Sequence, residues 1–170
     1  SLSAFTLSAA NIKVAQVIRM PKTGTLHSVE FLVGTIANNP DNGIRVSFQN
    51  LGATGLPDGT QDQFADITAL SADTWTAPPN AMTNDGTAGG TKRSVTAGDM
   101  VAVVIEFVSF VASDSISIQR LSLTSNVVSH NIHNYSLTMP AGTWFKTTTP
   151  TPLSMVLRYD ASDYVSLDGN

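Results

Sequence analysis

His130 and His133 form an H-x-x-H pair, the residue type and close spacing that a zinc site would draw on. On an extended strand, side chains three apart point to opposite faces, so the two imidazoles cannot converge without a turn or bulge. His27 is distant in sequence, and no metal site is assigned; polar surface or interface histidines is the favoured reading. Asn38, Asn39, Asp41 and Asn42 collect oxygen ligands in one turn, and Asp58 stands in another. Calcium takes such oxygens, but its Gly-centred loop pattern is absent, and these residues close Asx turns without any ion. Hydrolase chemistry needs a paired acid and base or an activated nucleophile. Glu106 sits inside an apolar run, where burial would raise its pKa, unless Arg45, Arg120 or Arg158 pairs with it as a structural ion. No G-x-S-x-G elbow supports a serine nucleophile. The chain is therefore not read as an enzyme, and neither catalytic residues nor a cofactor are assigned.

Aromatic residues offer a different chemistry. Trp75, Trp144, Tyr135 and Tyr164 have flat faces that suit the apolar side of a sugar ring, although core or interface packing is the commoner explanation for aromatics in such a chain. Trp75 and Trp144 stand near turns rather than within alternating strands. Phe64, Ile67, Leu70, Trp75 and Met82 fall in a stretch too apolar for a solvated linker. The interface or ligand candidates are Phe64, Trp75, Met82, Tyr135 and Trp144.

The elements that must position these residues are strands. Only two Glu and four Lys occur in 170 residues, against 38 Ser plus Thr and 22 Asn plus Asp, a balance that favours strands and turns over exposed helices. Asp99 to Val111 (DMVAVVIEFVSFV) is apolar on both faces, as a strand between two covered layers must be. Val103, Ile105 and Phe107 would face one interior and Val104 a second covered surface. Ile12 to Met20, Thr25 to Ile36 and Ile44 to Gln49 read as three strands of a meander, separated by Pro21 to Gly24 and by the turn cluster Asn38 to Gly43. Ile116 and Ile118 share one parity and Leu121 and Leu123 the other, which places a bulge near Gln119-Arg120. His133, Tyr135 and Leu137 alternate in a further strand; Thr147 to Pro152 is extended but unfit for a sheet centre. Leu153, Met155, Leu157 and Tyr159 alternate as a closing strand.

Gly52 to about Arg93 differs, with little alternation outside Phe64 to Leu70 and with Gly, Pro and Asn throughout. The segment is expected to lack a regular ladder. It either docks on a partner subunit or folds back to close its own core, and the low overall charge favours the partner. The whole reads as all-β: a single two-sheet antiparallel sandwich domain over residues 1–170, with a jelly roll as the expected topology, about eight strands and one long central loop segment.

Charge narrows the partners. A net charge of -4 and a pI near 5.1 argue against a nucleic-acid binder, which needs a basic surface. No apolar stretch approaches a membrane span, and the first residues carry no basic-then-apolar leader, though the opening Ser leaves room for a removed Met or leader. Having no cysteine removes thiol chemistry. Charged residues are 13%, about half the usual share, which suits an exterior covered by neighbouring subunits.

Taken in order, Gly55-Leu56-Pro57-Asp58-Gly59-Thr60, then Trp75, then Val95-Thr96-Ala97-Gly98-Asp99 leading into an apolar strand, together with the early Met20 to Leu26 turn and Val29-Glu30-Phe31, resemble β-sandwich modules of tailed-phage structural proteins and secreted bacterial surface proteins. The resemblance covers roughly residues 12 to 111 and rests on turns and strand starts. It implies a virion structural protein, a capsid decoration or tail-fibre component, assembling as a homo-oligomer and with other virion proteins. The alternative is an extracellular carbohydrate- or receptor-binding module whose partner is a glycan. Phe107→Ala should lower stability by about 3–5 kcal/mol, the cost of a large aromatic cavity. An unchanged denaturation midpoint would remove that strand from the core.

Overall fold

The computed structural model describes residues 2–38, 40, 42–121, 133–140, 142–146, 153–160 and 164–166. Among them are thirteen strands: β1 (Leu2–Leu7), β2 (Lys13–Arg19), β3 (Gly24–Ala37), β4 (Ile44–Leu51), β5 (Pro57–Ile67), β6 (Trp75–Thr76), β7 (Ser94–Val95), β8 (Met100–Phe107), β9 (Ser115–Leu121), β10 (His133–Met139), β11 (Phe145–Lys146), β12 (Met155–Tyr159) and β13 (Tyr164–Ser166). No described residue is in an α-helix. The strands form two antiparallel sheets. One has six strands in the order β11-β10-β2-β8-β4-β5; the other runs β1-β9-β3-β12-β13, with β6 and β7 also bonded to β3. The architecture is the expected sandwich. These orders establish two packed antiparallel sheets without establishing jelly-roll connectivity. The excess over eight strands comes from β1 and from two- and three-residue strands that leave too short a trace for alternation to be read.

β8 occupies the middle of the six-stranded sheet because its sequence is apolar on both faces. Val101, Val103, Ile105 and Phe107 enter the main core with Phe48 of the adjacent β4 and with Phe31, Ile118 and Leu157 of the opposite sheet. Ala102 and Val104 enter a second buried cluster on the outer face, with Ala15, Val17 and Leu137. Each fully buried Val or Ile contributes about 1.5–3 kcal/mol, against roughly 1 kcal/mol net for one ladder hydrogen bond. Side chains rather than the ladder therefore decide which strand is central.

That placement corrects the meander. β8 lies between β2 and β4, and β3 belongs to the opposite sheet. β9 also departs from expectation, since it pairs with β1 in unbroken register from Leu7↔Ile116 to Leu2↔Leu121, with no bulge at Gln119-Arg120. The irregularity lies on β3 instead, between Val33 and Ile36. There the Ser117 hydroxyl accepts the Thr35 N–H at 2.7 Å, and a side chain at Gly34 would stand 2.5 Å from that same hydroxyl. Leu123 and Thr147 to Pro152 lie outside the described residues.

The segment from Gly52 to Arg93 folds back on its own sandwich. β5 pairs with β4 along most of its length, with irregularities only near Gln49. Pro57 is the first residue of β5, where a missing N–H is tolerated. β6 pairs with β3, and Met82 N–H donates to His27 O at 2.8 Å. Gln63 holds the arrangement. Its fully buried amide donates to Leu26 O at 3.0 Å and to Met82 O, and its Oε1 accepts Arg93 N–H at 2.9 Å. One side chain thus joins β5 to three other passages of backbone. Gln16 serves similarly on β2, its Oε1 accepting Leu153 N–H at 3.2 Å. Register aligns Gln16, Val103, Phe48 and Gln63 in one row across β2, β8, β4 and β5. Gln63→Leu keeps the volume but strands two carbonyls and an N–H in the interior. We expect a loss of at least about 2 kcal/mol in urea denaturation. A loss no larger than that of an exposed substitution would show that the amide is dispensable.

Candidate functional site

Three loops meet at one end of the sandwich. Register sets Ile44 opposite both Ile67 and Phe107, and Ala37 opposite Ser115. The loops leaving β3, β5 and β8 must therefore start together. Cross-loop bonds hold two of them: Asn38 Nδ2 donates to Ser113 O at 3.1 Å, Asn42 Nδ2 to Ser109 Oγ at 2.6 Å, and Val108 N–H to Gly43 O at 3.3 Å. Gly43 is required here, since its φ is +70° and a Cβ would stand 2.1 Å from Ile67 O. The β5–β6 loop returns to β3 through Asp73 N–H to Gly34 O at 3.0 Å. Asp114 is buried, and its carboxylate accepts Val111 N–H at 3.4 Å.

Each loop carries one strained residue. Asn38 (φ 46°), Asp73 (φ 54°) and Ser113 (φ 85°) are the described non-glycine residues with positive φ. Such conformations cost of order 1–3 kcal/mol and persist where the surroundings over-determine them, often at sites of recognition. The same end leaves apolar side chains in water: Val108 is 38% and Val111 46% exposed. Phe110 lies half-buried between them in sequence, tilted against Phe107 with ring centroids 5.5 Å apart. Trp75, 44% exposed, follows directly from the β5–β6 loop. The same loops also expose Asn38, Asn42, Asp73, Ser109 and Ser113.

The sequence candidates are dispersed. Phe64 is half-buried on β5 beneath the Arg45 guanidinium, 4.2 Å from the ring centroid. Met82 has no exposed surface and belongs to the main core, so its expected interface role is corrected: it plugs the gap between the sheets. Trp144 is half-buried against the second cluster. Tyr135 lies on β10 opposite Val17, with its side chain outside what is described. His130 is outside the described residues, and His133 begins β10. His27 Nδ1 and Ser28 Oγ are 3.1 Å apart. Among the described residues no cluster of three or more His, Asp or Glu is set to hold a metal ion.

Glu106 is a satisfied ion, but its partner is Lys13, not an arginine. Gln61 Nε2 donates to its other oxygen at 2.9 Å. Arg45 is its register partner, yet that guanidinium turns to Asp66 in a two-pronged contact at 2.6 and 2.8 Å. Those hydrogen bonds hold Arg45 protonated more firmly than usual. Arg158 pairs with Glu30 at 2.7 Å. Burial pushes the Arg120 guanidinium down and the Tyr159 phenol up. The Thr87 N–H, then its hydroxyl, hold the Asp85 carboxyl below the usual range. That support for the Thr83–Thr91 loop is present at neutral pH and is lost as pH falls through the lowered pKa.

Compared with known protein families, curated proteins and solved structures, the chain matches none. The exposed valines were missed by sequence reading because Val108 and Val111 extend the apolar run of β8, interrupted only by Ser109. Ser113→Gly should relieve the left-handed strain and raise stability by about 1 kcal/mol. Lower stability in thermal unfolding would mean that the Ser113 conformation is not strained.

Proposed function

We propose that this protein is a non-enzymatic assembly module, a virion structural component of the capsid-decoration or tail-fibre kind that works through subunit contacts. The loop end carries the reading, since it sets Val108 and Val111 in water on a rigid, cross-bonded, strained platform. Leaving such residues exposed is unfavourable in a lone molecule and becomes favourable when a neighbour covers them. Two further features support it. The exterior is poor in charge, at 13% of residues, and the turn pattern resembles phage β-sandwich modules. A glycan-binding role in an extracellular setting has one observation in its favour, the exposed Trp75 beside the same loops.

Sedimentation velocity over a concentration series separates the two. The parent chain should form oligomers, and a Val108→Asp/Val111→Asp variant should keep its thermal unfolding but sediment as a monomer. A parent that stays monomeric, binds a glycan and loses that binding with Trp75→Ala would overturn the assembly reading.

A further inference from the structure

Every sheet has two edges, and an unpaired edge offers its N–H and C=O groups to any extended chain, so proteins blunt them with charges, bulges, short strands or covers. Most edges here are blunted. β5 carries Asp58, Asp62 and Asp66 and is covered at Phe64 by an isolated bridge to Thr83. β11 has two residues, one of them Lys146, and β13 has three. β6 and β7 have two residues each.

β1 is different. It is six residues long, Leu-Ser-Ala-Phe-Thr-Leu, with no charge and no proline. Its pairing with β9 has no bulge. No described strand bonds to its far edge. Ala4 and Thr6 are exposed, Phe5 is half-buried against the main core, and Leu7 is buried. The nearest cation, Arg120, is turned over this strand, its guanidinium 5.5 Å from the Phe5 ring centroid and its Nη2 donating to Ala4 O at 3.1 Å. A carbonyl has two lone pairs, so Ala4 O can accept a second donor as well.

We propose that the far edge of β1, to which no described strand bonds, pairs antiparallel with β1 of a second copy of this chain, joining two seven-stranded sheets across a two-fold axis. This rests on the assembly reading and names one of its contacts. A second copy fits because the strand is complementary to itself: none of its six residues is charged, each Arg120 guanidinium lies against the Phe5 ring of its own copy, and antiparallel pairing of identical strands closes as an isologous dimer. The register follows from the core lying on one face only. Inward residues must oppose inward residues, and centring the axis on Phe5 sets Phe5 against Phe5 and Ala4 against Thr6, the stretch of the strand that precedes the fully covered Leu7. The half-buried Phe5 then gains an aromatic cross-strand partner, while the outward face meets through two small side chains.

The absence of cysteine makes the register directly readable. Opposed residues in an antiparallel pair have Cα atoms about 4.5–5.5 Å apart, within disulfide reach, whereas diagonal ones lie at about 7–8 Å. A mixture of Ala4→Cys and Thr6→Cys full-length chains under mild oxidation should give the mixed disulfide dimer, and each variant alone should cross-link several-fold more slowly. Ala4→Lys, at an exposed position, should keep its thermal unfolding and weaken self-association by about tenfold or more. Equal cross-linking in the mixture and the single variants, or undiminished association of Ala4→Lys, overturns the pairing. If association then still depends on Val108 and Val111, the assembly reading stands without it; a parent chain monomeric at every concentration ends both.

Discussion

The structure depends on one constraint, the burial of β8 on both faces. A strand with Val101, Val103 and Ile105 on one side and Ala102 and Val104 on the other is stable only between two covers. The main core and the second sheet supply one cover. Ala15, Val17 and Leu137, with Trp144, Leu56 and Leu51 packed against their cluster, contribute to the other. Glu106, the one charge on β8, sits where the outer cluster gives way to the row of Lys13, Arg45 and Asp66, and its pairing there avoids an isolated buried carboxylate.

The two sheets are held in relation by polar groups at the flanks of an apolar row. Gln16 and Gln63 bracket Val103 and Phe48 and hydrogen-bond to passages belonging to the other sheet or to the segment that closes it. Apolar packing is tolerant of small sliding movements, whereas an amide with two donors and an acceptor engaged is not. The glutamines therefore fix how the sheets are set and where the long middle segment returns. With that frame fixed, the three loops at the far end have defined starting points, and strain at Asn38, Asp73 and Ser113 can be sustained.

Much of the strand content was legible. β2, β3, β4, β8 and β12 fall within a few residues of their apolar alternation, since period-two patterning is a local property of the chain. β1 was missed because Leu2 to Leu7 alternates weakly and lies at an edge. The middle segment was misjudged because β5 is rich in Asp and Gln, as an edge strand with one solvated side tolerates. Of the site, the connection between β3 and β4 was visible in its Asn, Pro and Gly residues, and Trp75 as an isolated aromatic. Their meeting with Val108 and Val111 was not.

The sequence by itself determined an all-β chain, a strand with two apolar faces at its centre, and an exterior with few charges, because side-chain alternation and composition act without reference to distant residues. Only the tertiary structure decided that β8 inserts between β2 and β4, that Met82 is core rather than surface, and that three loops far apart in sequence build one end. Backbone ladders are nearly alike whichever strands form them, so partner choice is set by how the whole set of side chains fills the space between two sheets.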